Sequence, residues 1–371
     1  MDAAQLALMT HWVLVLAFGL SVGLGALLHA THFCTMGAIS DVVLMQDATR
    51  LRQWALAAAV AILGFAAMHF AGWISPLQTI YASDKLLWLS SLIGGGLFGM
   101  GMVLGSGCTA KSLVRLGAGN LKSLIVLLVM GVFALATLRG LPGVWRVNTL
   151  DTVFIDVQAQ AFVGSWLAQR SGRSMTVASA AAAMIISGGL LVWTLKVPAF
   201  RSRRNILAGI GVGLLIIAMW CLSGVIGHGL EHPETLDEFF VATSSGRMES
   251  FSFTSPVAWI VDAFMYFSDG TKRLTIGMVS VLGVIAGANG HALWTRTFRW
   301  ESFTHRQDLV RHVAGGALMG VGGVTAMGCT FGQGLSGLST LSWMSMLTTI
   351  AMALGAWGTL SLQMHQMDSA I

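Results

Sequence analysis

A glycine-rich span that closes on Gly-Cys-Thr occurs twice in this chain, and it restricts the fold more than any other feature. Displacing the sequence by 221 residues lays GGALMGVGGVTAMGCT (315–330) on GGGLFGMGMVLGSGCT (94–109). The copies are identical at Gly94, Gly95, Leu97, Gly99, Gly101, Val103, Gly107, Cys108 and Thr109. Shared glycine bias explains part of the match. Only four cysteines are present, however, so two copies ending on the same thiol mark an internal repeat.

The spans that carry the repeat belong to a membrane chain. Of 371 residues, 55% are hydrophobic and 10% charged, which excludes an ordinary soluble domain. Nothing resembles a basic arm for nucleic acid. Nine apolar stretches are long enough to cross or nearly cross a bilayer: 11–30, 54–74, 86–105, 121–138, 176–195, 205–226, 274–293, 312–328 and 341–362. Only Asp2 stands ahead of the first, with no basic leader region, so it reads as a retained span. Connections one, three, five and seven carry thirteen lysines and arginines against eight in the even ones, Lys272 included. That bias puts the amino terminus outside and the carboxyl terminus in the cytoplasm. Acidic residues of the sixth connection, Glu231, Glu234, Asp237, Glu238 and Glu249, carry little weight in that rule. The repeated spans are the third and the eighth, five crossings apart, and so run antiparallel. The expectation is an all-α polytopic fold of about nine transmembrane helices plus short half-helices, an inverted repeat with halves 1–175 (Cys34, Cys108) and 176–371 (Cys221, Cys329). Segments 140–175 and 250–268 read as short interfacial helices anchored by Trp145 and Trp259.

Three of the four cysteines precede a threonine: Cys34-Thr35 in HFCTMG, Cys108-Thr109 in SGCTAK and Cys329-Thr330 in MGCTFG. Threonine is a good N-cap, so each motif is read as a helix start, with a short helix from Thr109 to Gly117 carrying Lys111 and Arg115. A thiol there faces unpaired amides and the positive end of the helix dipole, which favours anions. Soft thiols suit an anion with a sulfur terminus better than a hard oxyanion. Candidate substrate-binding residues are therefore Cys34, Thr35, Gly107, Cys108, Thr109, Lys111, Gly328, Cys329 and Thr330. A lone membrane cysteine is more often a small packing residue, and Cys221 in MWCLSG is read that way. Lys111 and Arg115 either line an anion vestibule or serve as positive-inside anchors. His29 and His32 are read first as packing or capping residues. The absence of CxxC spacing argues against a disulfide framework or a zinc site, and no cofactor is expected.

The stretches FCTMGAISD, GSGCTAKSLVRLGAGNLKSL, FTSP, FRWESF and GGVTAMGCTFGQGLSGLSTLS together resemble the YeeE/YedE family of bacterial sulfur-transport membrane proteins. The resemblance implies an hourglass of nine spans and half-helices that takes up thiosulfate, with Cys34, Cys108 and Cys329 contacting its sulfur in succession. It departs at Met36, where many relatives have a basic residue. It also leaves room for selenium or other sulfur species. Two other functions fit the residues. One is a membrane sulfurtransferase passing persulfide sulfur to a small cytoplasmic carrier protein, since a cysteine at a helix start is reactive. The other is soft-metal transport, against which Lys111 and Arg115 stand. No Walker A pattern points to ATP hydrolysis.

Overall fold

Long apolar runs in a bilayer leave the backbone no hydrogen-bond partner but itself, and in the computed structural model each becomes a helix. The structure describes residues 3–157, 160–231, 237–270 and 273–368; Asp2, Glu234 and Lys272 lie outside them. The first half holds α1 (Ala3–Thr31), α2 (Thr35–Ser40), α3 (Thr49–Phe70), α4 (Trp88–Leu104), α5 (Thr109–Gly117), α6 (Leu121–Arg139), α7 (Leu141–Thr149) and α8 (Val163–Ser171). The second holds α9 (Met175–Leu195), α10 (Arg203–Cys221), α11 (Thr254–Met265), α12 (Ile276–Trp294), α13 (Arg306–Thr325) and α14 (Trp343–Asp368). Among the described residues eight helical stretches are long and apolar enough to span a membrane. Helix α13, the eighth expected span, is not among them: it opens with Arg306, Asp308 and Arg311 before its glycine-rich part begins. The interfacial helices appear as α7, α8 and α11, with Trp145 largely exposed and Trp259 beneath the Arg139 guanidinium, 4.8 Å from its ring centre.

Odd and even connections separate onto two faces. On one, Asn120 donates to Glu301, the Leu121 amide donates to the Glu301 carbonyl, and Gln53 donates to Asn205. These tie the third connection to the seventh, and α3 to the start of α10. On the other, β1 (Lys85–Leu86) pairs with β2 (Ile155–Asp156), β3 (His228–Gly229) with β4 (Phe239–Phe240), and Thr79 bridges Met248.

The two repeat copies touch each other. A Cβ on Gly94 would meet the Ala326 nitrogen at 2.5 Å, and one on Gly101 would meet the Gly315 carbonyl oxygen and the Met319 nitrogen at 2.7 Å. As the number rises along α4 it falls along α13, so the helices run antiparallel, backbone against backbone. Lipid gives helices no hydrophobic reason to associate, and small residues allow the close contact that replaces it.

Each copy also ends the same way. Gly107 donates to the Met102 carbonyl at 2.8 Å and Gly328 to the Gly323 carbonyl at 2.8 Å, closing paired Schellman turns. The left-handed residue in these turns is not glycine: Ser106 has φ 57° and Met327 φ 56°. His32 stands two residues before Cys34 with φ 56°, so all three Cys-Thr motifs follow a left-handed break by two residues.

Candidate functional site

The breaks set where the thiols lie. Cys34 is the N-cap of α2, and its Sγ accepts from the Gly37 amide at 3.3 Å. Cys329 precedes a wide π-helical turn (Gly332–Gly337), and its Sγ accepts from the Gly332 amide at 3.4 Å. Cys108 is the N-cap of α5, its sulfur facing the Lys111 amide without forming a capping hydrogen bond. In α2 and α5 the N-cap expected of threonine is thus cysteine, and threonine takes the first helical position; in the third motif Thr330 lies in a turn and Phe331 directly precedes the π-helical turn. The physical reason is the break two residues upstream, which brings the thiol, not the hydroxyl, over the free amides. Helix α5 otherwise occupies the expected Thr109–Gly117.

The structure brings the candidate residues together. All three thiols are free and buried, whereas Cys221 is half-buried at the end of α10 and lies at no such break. The Cys34 and Cys108 side chains contact each other, and the Thr330 hydroxyl adjoins Cys108, so the two repeat copies meet at this sulfur. Thr109 Oγ1 lies 3.3 Å from Thr254 Oγ1 and 3.4 Å from the Met130 sulfur. Lys111, half-buried, acts electrostatically on both Cys34 and Cys108. A Cβ on Gly107 would press on the Lys111 stem at 3.1 Å, and Gly328 has φ 157° and would press on Gln333.

Charge divides the surroundings. Lys111 and Arg50 act electrostatically on Cys34 and Lys111 on Cys108, while Lys111, Arg204 and Arg50 act on His32 beside His29. Arg50 pairs with Asp41 at 3.3 Å, and His29 Nδ1 lies 2.9 Å from His291 Nδ1, a pairing that needs one donor and one acceptor. On the Cys329 side the Tyr81 hydroxyl donates to the Gly332 carbonyl. Beyond it a cavity of about 410 Å³ is lined by Ser244, Arg247, Glu249, Ser252 and Gln333 among others. The Gln333 amide nitrogen donates to the Ala326 and Met327 carbonyls, which fixes the loop that carries Cys329.

Three aromatic rings pack together next to the Cys34 and Cys329 segments. Phe331 meets Phe33 edge to face at 6.2 Å and Phe253 at 5.4 Å, all three buried. Sequence reasoning missed this cluster, along with Tyr81. The available signal was the aromatic residue flanking two thiols, in FCT and in CTF.

The sequence as a whole has known counterparts. The family described as sulphur transport matches residues 30–358. The thiosulfate transporter TsuA of Escherichia coli (strain K12) is 26% identical over 351 residues, covering 90% of each chain. The protein of the same name from Spirochaeta thermophila is 27% identical over 352 residues, covering 91% of this chain and 96% of its own. A probable transporter, YedE of Salmonella typhimurium, is 30% identical over 89 residues, 24% of this chain and 22% of its own.

Proposed function

Because the chain belongs to the sulphur-transport family, we propose that it carries thiosulfate or a similar small sulfur anion across the inner membrane, handed along the thiols of Cys329, Cys108 and Cys34. The observation that supports this most is the contact of Cys34 with Cys108, beside Thr330, where the repeat copies converge. A soft terminal sulfur exchanges hydrogen bonds with thiols at modest cost, so it is held at each station without being trapped. In this reading the Ser244–Arg247 cavity is the periplasmic mouth, Phe33, Phe253 and Phe331 are the plug, and Lys111 with Arg50 forms the cytoplasmic vestibule. The amino terminus is periplasmic and the carboxyl terminus cytoplasmic. Halves 1–175 and 176–371 are the inverted units, and a small sulfur-carrier protein is the proposed partner on the cytoplasmic side.

The test is uptake of radiolabelled thiosulfate in a bacterial strain without its own sulfate and thiosulfate importers. A hydrogen bond to an anion is worth about 1.5–3 kcal/mol. Cys34→Ala, Cys108→Ala and Cys329→Ala should therefore each lower initial uptake about tenfold or more, while Cys221→Ala stays within about twofold. Uptake that survives replacement of all three thiols sinks the relay.

A further inference from the structure

Away from the thiols, α6 closes its apolar span at Arg139 and α12 opens its own at Ile276, so Arg139 and Arg273 stand where hydrocarbon gives way to headgroups. Beside them lies the interfacial helix α11. Its end and the residues after it leave Phe264 80% and Phe267 88% exposed. Exposed rings at the end of two spans belong against lipid, not water.

Two cavities meet at this level. One, of about 530 Å³, runs between α6 and α11 along Val132, Leu135, Ala136, Met265 and Tyr266. Val132, Met265 and Tyr266 are themselves exposed, so this crevice opens on the lipid-facing side. The other, of about 350 Å³, is polar, and Thr243, Ser244, Arg273 and Thr275 line it. Arg139, Asp262 and Asp269 line both, so the apolar crevice runs into the polar chamber across a charged seam.

Charge at the seam is of both signs. The Asp262 carboxylate is buried, and the Arg139 guanidinium lies 3.6 Å from it. The Arg139 side chain is nevertheless 56% exposed, which leaves N–H groups of its fork for a second acceptor. Two guanidiniums and two carboxylates balance, so a simple anion finds no net charge to draw it. A group that carries both signs finds a partner for each. Phosphate matches the guanidinium fork, and a primary ammonium brings three donors to carboxylates and hydroxyls.

We propose that the joined cavities hold one phospholipid with a phosphoethanolamine headgroup. Its phosphate sits on Arg139 and Arg273, its ammonium on Asp262 and Asp269, and an acyl chain lies along Val132, Leu135 and Ala136. The site does not depend on which anion the protein carries. Ser244 also lines the cavity of about 410 Å³ on the Cys329 side, so the headgroup braces the 243–249 loop that bounds that cavity.

The experiment is native mass spectrometry of the full chain, stripped of lipid in detergent and titrated with phosphatidylethanolamine, phosphatidylcholine or phosphatidylglycerol of identical acyl chains. Phosphatidylcholine keeps both charges but has no N–H to donate, and phosphatidylglycerol keeps the phosphate without the cation. The first phosphatidylethanolamine should bind about tenfold more tightly than either. Arg273→Gln, at an exposed position, should weaken it about tenfold, and Ala136→Phe, which fills the crevice, about fivefold or more. Equal binding of the three lipids, or a phosphatidylethanolamine preference that both variants retain, makes this an ordinary lipid-facing surface and overturns the proposal. Tightest binding of phosphatidylglycerol assigns the seam to an anionic lipid and overturns it too. So does competition by soluble glycerophosphoethanolamine at the concentration of the lipid itself, because the crevice would then contribute nothing.

Discussion

Lys111 and Gly332 occupy the same station in the two copies of the repeat, three residues beyond Cys108 and Cys329. Up to the thiol the copies agree in detail: glycine-rich helix, left-handed residue, Schellman closure, cysteine. After the threonine they part. One continues as the nine-residue α5 with Lys111 and Arg115; the other continues as a six-residue π-helical turn with glycine and serine at those places. The shared part sets where a sulfur sits, and the divergent part decides which charge it sees. An inverted repeat with identical sequels would present the same field to both faces. This one places Lys111 and Arg115 after one thiol and glycine and serine after the other, whose neighbouring cavity is lined by serines together with Arg247 and Glu249.

Removing the divergent charge should have the largest effect. Lys111→Gln is expected to raise the KM for thiosulfate about tenfold or more, with Lys111→Arg retaining most of the affinity, because a half-buried cation near two thiols is poorly screened by water. Measuring uptake at two ionic strengths checks this. A Lys111→Gln protein with wild-type KM would reduce the residue to a topology signal.

The shared part is tested at its glycines. Gly101→Ala and Gly315→Ala each push a methyl group into the backbone of the partner helix and should each cost about 1–3 kcal/mol, read as a lower thermal midpoint in detergent. Both probe one contact, so the double variant should cost less than the sum. Full additivity would mean that α4 and α13 respond independently.

A smaller gain is expected at the breaks. Ser106→Gly and Met327→Gly relieve a left-handed backbone in corresponding places and should each stabilise by about 0.5–1 kcal/mol. Destabilisation in one copy alone would show that its side chain contributes more than its backbone strain removes.

What the sequence revealed and what it hid follow the same division. The repeat, the placement of three thiols just before a helix or helical turn and the bounds of α5 were legible because they rest on local pattern: glycine spacing, a recurring dipeptide, a glycine at a helix end. The aromatic cluster was not, since Phe33, Phe253 and Phe331 come from three distant segments and only packing unites them. His29 looked like a packing residue, yet it pairs with His291, 262 positions away, which no local window sees. The passing of the N-cap from threonine to cysteine in α2 and α5 was hidden too, because the left-handed residue two positions earlier has no signature when it is histidine or serine.

The Lys122–Asp308 pair extends the comparison to the outer end of the repeat, where α13 begins with charges and α4 does not. The ammonium lies 2.6 Å from the carboxylate and holds the Asp308 carboxyl below its usual value of 3.8. A carboxyl whose folded value is depressed contributes its stability above the unfolded value and loses it as pH falls through the folded one. Both side chains are about one quarter to one third exposed, so the pair is worth no more than about 0.5–1 kcal/mol. Asp308→Asn should therefore lower the thermal midpoint by a few degrees at most at pH 7, and the two proteins should converge as pH falls well below 3.8. Raising salt at pH 7 should shrink the gap as well, because a half-exposed pair is screened. A gap that persists in acid and in salt would assign Asp308 a role that does not depend on its charge. The hydrogen bond from His312 Nδ1 to the Asp308 carbonyl at 2.8 Å, which the asparagine variant leaves intact, would then be the next contact to remove.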